Sequence, residues 1–147
     1  MIARIQSRAL IRLHGMELGK EFHAECKYPG VLDEELLTTF IYGHVDSGTG
    51  AMWIEYSETC PVGLIFGVLT IDPINGMEMA IEMFWYVRKN RNAHGKDLLR
   101  HFEVWARERG AQRLIVGHKP YAVAPVSQLL NRRGYQQMEV YYHKLCQ

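Results

Sequence analysis

Apolar positions recur at helical spacing twice near the start of the chain, switch to period two, and then return to helical spacing. "ALIRLHGMELGKEFHAECK" places Leu10, Ile11, Leu13, Met16, Leu18 and Phe22 mostly on one helical face, weakened by Gly15 and Gly19. "YPG" at 28–30 breaks this run. "LDEELLTTFIYGHV" follows, with Asp33 as N-cap, acids in the first turn, and Leu36, Leu37, Phe40 and Ile41 on one face. "DSGTG" at 46–50 is a loop by composition. Three strands come next. "AMWIEYS" alternates and ends at "ETCP", "VGLIFGVLTIDPI" runs to the tight-turn signal Asn75-Gly76, and "MEMAIEMFWYV" returns as the hairpin partner. Leu98, Leu99, Phe102, Trp105 and Ala106 form an i, i+1, i+4, i+7, i+8 stripe on a helix over 96–109, closed by Gly110. "QRLIVGH" reads as a strand, and "APVSQLLNRRG" as a helix with Pro125 near its first turn and Gly134 at its end. "YQQMEVYYHKL" reads as a final strand.

The order is α–α–β–β–β–α–β–α–β, with a short strand at 2–6 as an option. An antiparallel meander feeding a βαβ unit makes a mixed sheet with helices packed on it, so the predicted class is α+β. No repeat or linker interrupts the 147 residues, and the expectation is one domain over 1–147. Apolar residues at 48% and charged residues at 22% fit a globular chain. A net charge of +1 supplies no polycationic field, so no nucleic-acid partner is expected.

Cys26, Cys60 and Cys146 are odd in number and widely spaced, which favours free thiols in a reducing compartment. The N-terminus has arginines but no long apolar h-region, and no apolar run approaches the ~20 residues that span a bilayer. A soluble, cytoplasmic protein with no membrane partner is expected. The seven histidines show no HxH, HExxH or helical i, i+4 pairing, so no metal is expected.

The stretch "NRNAHGKDLLRHFEVWARERG" at 90–110 raises a choice. Either Asn92 caps the helix and Gly95 eases the turn, or the first-turn N–H groups of Ala93, His94, Gly95 and Lys96 face an anionic ligand. Small residues at 93 and 95 permit close backbone approach, and Arg88, Arg91 and Lys96 add positive charge. Spacing alone favours the capping reading.

The element order and the strand–loop–helix at 81–109 together resemble the GNAT superfamily of acyl-CoA-dependent N-acetyltransferases. The family loop runs approximately Arg/Gln-x-x-Gly-x-Gly/Ala before a helix that begins with leucines. Counting back from Leu98-Leu99 puts Gly95 on the second glycine slot, Ala93 on the first, Asn90 on the Arg/Gln slot and Arg91 one place away. "FWYVRKNR", "LLRHFEVWARERGAQRLIV" and "LLNRRGY" also resemble family passages, over about residues 52–145. The likeness extends to small members encoded by bacteriophages.

The resemblance implies a GNAT-like mixed, mostly antiparallel central sheet with helices on both faces. It implies acetyl transfer from acetyl-CoA, a co-substrate, to a primary amine of a small molecule or protein by direct attack, without a metal. It places the cofactor on Tyr86, Val87, Arg88, Arg91, Asn92, Ala93, His94, Gly95 and Lys96, with the backbone of Phe84 to Val87 as acyl platform.

Many relatives keep a glutamate on this strand as general base, and Glu82 stands there, five residues before Val87. Its neighbours Ile81, Met83 and Phe84 are expected to raise its pKa towards neutrality. A solvent-facing glutamate paired with arginine is the alternative, and Glu78 the fallback base. Period two places Glu82, Phe84 and Tyr86 on one face and Met83, Trp85 and Val87 on the other.

The family's late-helix tyrosine position holds Leu130, and its asparagine position holds Val123. Tyr121 is the candidate general acid, with Ser127 and His118 as others. These departures keep open a catalytically inactive GNAT-fold binding or structural protein, in a phage particle or at a host target. Glu25, Asp33, Glu34, Glu35, Asp46 and Asp72 suggest a cationic acceptor, although acids on a solvated surface look the same. The edges of such a sheet permit a homodimer.

Overall fold

The computed structural model describes residues 1–89, 91, 93–118 and 126–146. Asn90, Asn92, Tyr121, Val123 and Pro125 therefore lie outside the described residues. The chain divides into two units, Met1–Gly117 and His118–Gln147.

The first unit opens with β1 (Ile2–Ile5) and a helical run made of α1 (Arg8–Leu10), a π-helical turn (Ile11–Gly15) and α2 (Met16–Glu25). There follow α3 (Glu34–Ser47), β2 (Gly50–Ser57), β3 (Cys60–Ile71), β4 (Glu78–Val87), α4 (Gly95–Glu108) and β5 (Arg113–Ile115). The strands lie in the order β1-β2-β3-β4-β5, antiparallel except for the parallel β4–β5 pair. This is the expected mixed, mostly antiparallel sheet.

The helix boundaries follow local chemistry. The Asp33 carboxylate accepts the Leu36 N–H at 2.9 Å, and α3 ends at Gly48, whose φ of 75° is left-handed. At the end of α4 the Ala111 N–H reaches the Ala106 carbonyl at 2.9 Å and the Gly110 N–H reaches Arg107 at 3.0 Å. In the first helical run the Met16 N–H bonds to the Ile11 carbonyl, one residue further back than in an α-helix. Gly15 lies beside β2, where a Cβ would make ordinary contact with Met52 Sδ at 3.4 Å.

Helices cover both faces of the sheet: α4 packs on one, α2 and α3 on the other. Gly67 and Gly63 of β3 make room for α4. A Cβ at Gly67 would fall 2.3 Å from the Phe102 ring, and one at Gly63 would fall 3.1 Å from Leu98. On the opposite face Met52, Ile54, Leu64, Phe66 and Val68 form a core with Ile11, Met16, Leu18 and Ile41. Trp53 and Trp105 are buried and meet edge to face, as core residues.

β4 departs from simple alternation. Phe84 pairs with Phe66 and Glu82 with Gly67, so Met83 is an extra residue in a β-bulge. Phe66 and Gly67 are consecutive and face opposite ways, which puts Glu82 on the α4 face while Phe84 and Tyr86 stay on the α2 face. The expected sharing of one face by Glu82, Phe84 and Tyr86 is thus corrected by the bulge.

In the second unit α5 covers Val126–Arg132. Residues 135–146 form no strand, contrary to the expectation for "YQQMEVYYHKL". Alternation and β-branched content favour a strand only where a neighbour completes the ladder. Met138, Val140, Tyr141, Tyr142 and Leu145 of this segment are exposed.

Candidate functional site

β4 and β5 part company midway along the sheet. Their ladder joins Met79 to Arg113, Ala80 to Leu114 and Ile81 to Ile115, and among the described residues β4 then continues on that side to Val87 with no paired strand. The Arg88 N–H points to β3, where it bonds to the Val62 carbonyl at 2.8 Å. Successive N–H groups of a strand point to opposite sides, so those of Trp85 and Val87 face the open side of the fork. Glu82 is the first β4 residue beyond the last rung, and its Oε2 accepts the Gly117 N–H at 3.1 Å. A carboxylate therefore sits where the two strands diverge. Glu78 begins β4 before the ladder, so it stands at the other end from the fork.

The start of α4 overlies the last turn of β4. Gly95 lies against Val87 and Trp85, which a Cβ would meet at 3.4 and 3.6 Å. His94 occupies the N-cap position without a side-chain capping bond, and its carbonyl accepts the Asp97 and Leu98 N–H groups at 2.8 and 3.2 Å. The His94 N–H itself donates to Glu55 Oε2 at 2.7 Å, and its ring Nδ1 lies 2.6 Å from Glu55 Oε1. The N–H groups of Gly95 and Lys96 have no partner among the described residues. They are left by helix geometry as donors for an anion, with the exposed Lys96 and Arg91 side chains beside them and Ala93 half-buried. The cradle is narrower than expected, because Glu55 takes the His94 amide.

Tyr86 and Arg88 turn their side chains away from this loop, towards α2. The Tyr86 hydroxyl donates to Glu25 at 2.9 Å and Glu21 at 3.2 Å. Arg88 donates to Glu21 at 2.9 and 2.6 Å, to Glu17 at 2.5 Å and to the Pro61 carbonyl at 2.6 Å. Burial, then the bond to Glu25, raises the Tyr86 phenol above its ordinary value. The Glu21 hydrogen bond raises Arg88, and the same bond lowers Glu21. Arg88 is thus a fixed link between β4 and α2, and not the mobile cation expected beside the loop. From Tyr86 only the backbone remains available to the fork.

The acids expected to draw a cationic acceptor all have partners. Glu25 meets Tyr86 and Lys89, Glu34 meets Lys20, Glu35 meets Arg12, Asp46 meets Arg8 and Asp72 meets Arg113, while Asp33 caps α3. Ser127 lies on α5 and His118 opens the second unit. Among the described residues no group of His, Cys, Asp and Glu is placed to hold a metal, and no helix is long and apolar enough to cross a membrane.

Glu55 was missed in the sequence, although a lone acid on the Ala51–Trp53–Glu55 face of a buried strand is a signal for it. The Glu17, Glu21, Glu25 stripe at i, i+4, i+8 likewise marks a helix face that needs a cation.

No protein-family model and no curated protein matches the sequence. Solved structures do match. A predicted acetyltransferase from Clostridium acetobutylicum, solved with acetyl-CoA, is 12% identical, with 99% of this chain and 95% of that one covered at a TM-score of 0.79. AAC(6′)-Iy, in complex with a bisubstrate analogue of CoA and acetylneamine, is 16% identical, with 99% of each chain covered and a TM-score of 0.72. A ribosomal-protein-alanine N-acetyltransferase from Brucella melitensis is 14% identical, with 99% of each chain covered and a TM-score of 0.67. The chain has the fold of the GNAT acetyltransferases.

Proposed function

We propose that the chain is an N-acetyltransferase that moves an acetyl group from acetyl-CoA to a primary amine by direct attack, with residues 1–147 acting as one domain. The observation that carries this reading is the fork between β4 and β5. It combines outward N–H groups of Trp85 and Val87, a carboxylate at the point of divergence, and the bare N–H groups of Gly95 and Lys96 next to Val87. An extended acyl-pantetheine arm fits along the open side of β4 as a strand fits a sheet edge, with its diphosphate at the α4 N-terminus.

In this reading Glu82 takes a proton from the acceptor ammonium, directly or through one water, because an amine near pKa ~10.4 is otherwise protonated at neutral pH. The amine nitrogen bonds to the thioester carbon, the carbonyl electrons move to oxygen, and the N–H of Trp85 or Val87 stabilises that oxyanion. The nitrogen gives its second proton to solvent as collapse breaks the C–S bond, and the departing thiolate takes one from Tyr121 or solvent, leaving the amide and the CoA thiol. The match to solved structures with acetyl-CoA or a CoA analogue supports the co-substrate. The names of those neighbours, one bound to a bisubstrate analogue of CoA and acetylneamine and one a ribosomal-protein-alanine N-acetyltransferase, support an amine acceptor as a class. Cys26, Cys60 and Cys146 form no disulfide, which fits a reducing, cytoplasmic setting. The likeness to phage-encoded members rests on the sequence pattern alone.

The test is calorimetric titration of the purified protein with acetyl-CoA, with ADP as control, followed by thiol-release assays on a panel of amines. Micromolar binding that needs the whole co-substrate is expected. Glu82→Gln should retain that affinity and lose about 10²–10⁴-fold in amine transfer. No binding at millimolar acetyl-CoA refutes the enzyme and favours the inactive binding protein. Full turnover of Glu82→Gln across pH 6–9 refutes the base.

A further inference from the structure

We infer that Glu55 is a positioning residue for the diphosphate end of this site: a buried carboxylate on β2 that holds His94 from beneath and so aims the N–H groups of Gly95 and Lys96. The inference rests on the proposed function, because it names what fixes the geometry of that same site.

Glu55 is 4% exposed. In the sheet it stands opposite Gly63, and Gly63 in turn stands opposite Val87. Carboxylate, gap and last residue of β4 thus form one row across three strands under the start of α4. The gap matters, because a side chain at Gly63 would run into Val87 and Leu98. It leaves the loop free to come down over β3 and reach β2, roughly 10 Å from β4 at ordinary strand spacing. There both carboxylate oxygens meet His94, one at the backbone N–H and one at ring Nδ1, at 2.7 and 2.6 Å.

A buried carboxylate with fewer bonds would be costly, so the two contacts fix each other. His94 is the residue just before the helix, and its carbonyl already closes the first turn of α4. Holding both its N–H and its ring leaves little rotation for the next two amides. Glu55 does not compete with a diphosphate for them, because its two oxygens are taken by the His94 N–H and ring. Its length should therefore matter more than its charge. Glu55→Gln keeps an acceptor for the His94 N–H and a partner for Nδ1, whereas Glu55→Asp is one methylene too short to reach both.

The experiment titrates CoA and S-acetylpantetheine, the same acyl arm without the diphosphate, into wild type, Glu55→Asp and Glu55→Gln. Glu55→Asp should bind CoA about tenfold or more weakly and S-acetylpantetheine as wild type does. Glu55→Gln should stay within about threefold of wild type for both. Wild-type CoA affinity in Glu55→Asp overturns the inference, as does equal loss of both ligands, which marks general loosening. Should Glu55→Asp not fold, His94→Ala removes the ring's grip alone, and must lower CoA affinity selectively or the inference fails. If the wild-type chain does not bind CoA, the proposed function fails and the inference falls with it. Wild-type binding with unaltered variants sinks the inference alone.

Discussion

Gly67 offers the sharpest test of how α4 is seated on the sheet. Replacing it with alanine puts a methyl group 2.3 Å from Cε2 and 2.6 Å from Cδ2 of Phe102, with the Ile81 carbonyl at 3.3 Å on another side. Ordinary contact begins near 3.4 Å, so the ring must retreat by about an ångström or leave its pocket. Phe102 is fully buried, and the rest of the α4 stripe is buried around it, so there is little room to retreat. Overpacking of this kind costs about 1–3 kcal/mol, and the tightness of this contact argues for the upper end. Alanine returns about 0.5–1 kcal/mol by restricting the unfolded chain. The net expectation is a loss of about 2 kcal/mol, or roughly 6 °C in melting temperature for a chain of this size.

Equilibrium urea unfolding measures that loss, with an unchanged m-value as the sign that the same surface unfolds. The double variant Gly67→Ala/Phe102→Leu separates a ring clash from a backbone effect. Leucine alone leaves a small cavity, but in the double variant it makes room for the methyl, so the two losses should fall short of additivity by about 1 kcal/mol. A Gly67→Ala protein within about 0.5 kcal/mol of wild type, or strict additivity in the cycle, would refute the close seating of α4 described above.

Glu21→Gln should destabilise the protein at neutral pH, with the difference from wild type shrinking in acid. The bond to Arg88 holds Glu21 below its ordinary 4.5, so its ionised form favours the fold at neutral pH, and that contribution fades as pH falls through the lowered value. Urea midpoints at pH 7 and pH 3 check this, and a gap that widens in acid contradicts it. Gly95→Ala should leave stability unchanged or slightly higher, since its Cβ would make only ordinary contacts with Val87 and Trp85. Gly95→Val should weaken CoA by keeping the ligand from the backbone, and equal affinity in that variant would place the diphosphate elsewhere.

The elements legible in the sequence were those whose causes are local. Asp33 and Gly48 bracket α3 within its own length, and the Leu98–Ala106 stripe with Gly110 defines α4 without reference to the sheet. The candidate base, Glu82, was placed on the correct strand, but its face was not, because the bulge at Met83 arises in the pairing with β3. Arg88 read as a loop cation because its carboxylate partner Glu21 lies 67 residues earlier. Glu55 read as an ordinary strand residue because its partner His94 lies 39 residues later. The last strand was not borne out: residues 135–146 carry the alternation of a strand, and alternation alone does not make one.

The π-helical turn at Ile11–Gly15 has a consequence for how the chain tolerates change in length. One added residue in a helix rotates everything beyond it by about 100°. The wide turn takes up one such residue locally, so Glu17, Glu21 and Glu25 keep the phase in which they reach Arg88 and Tyr86. Deleting a single residue there would shorten the chain by less than one part in a hundred and restore regular α geometry. It would leave the acid stripe facing β4, so the segment that looks locally irregular is more open to losing a residue than the regular helix that follows it.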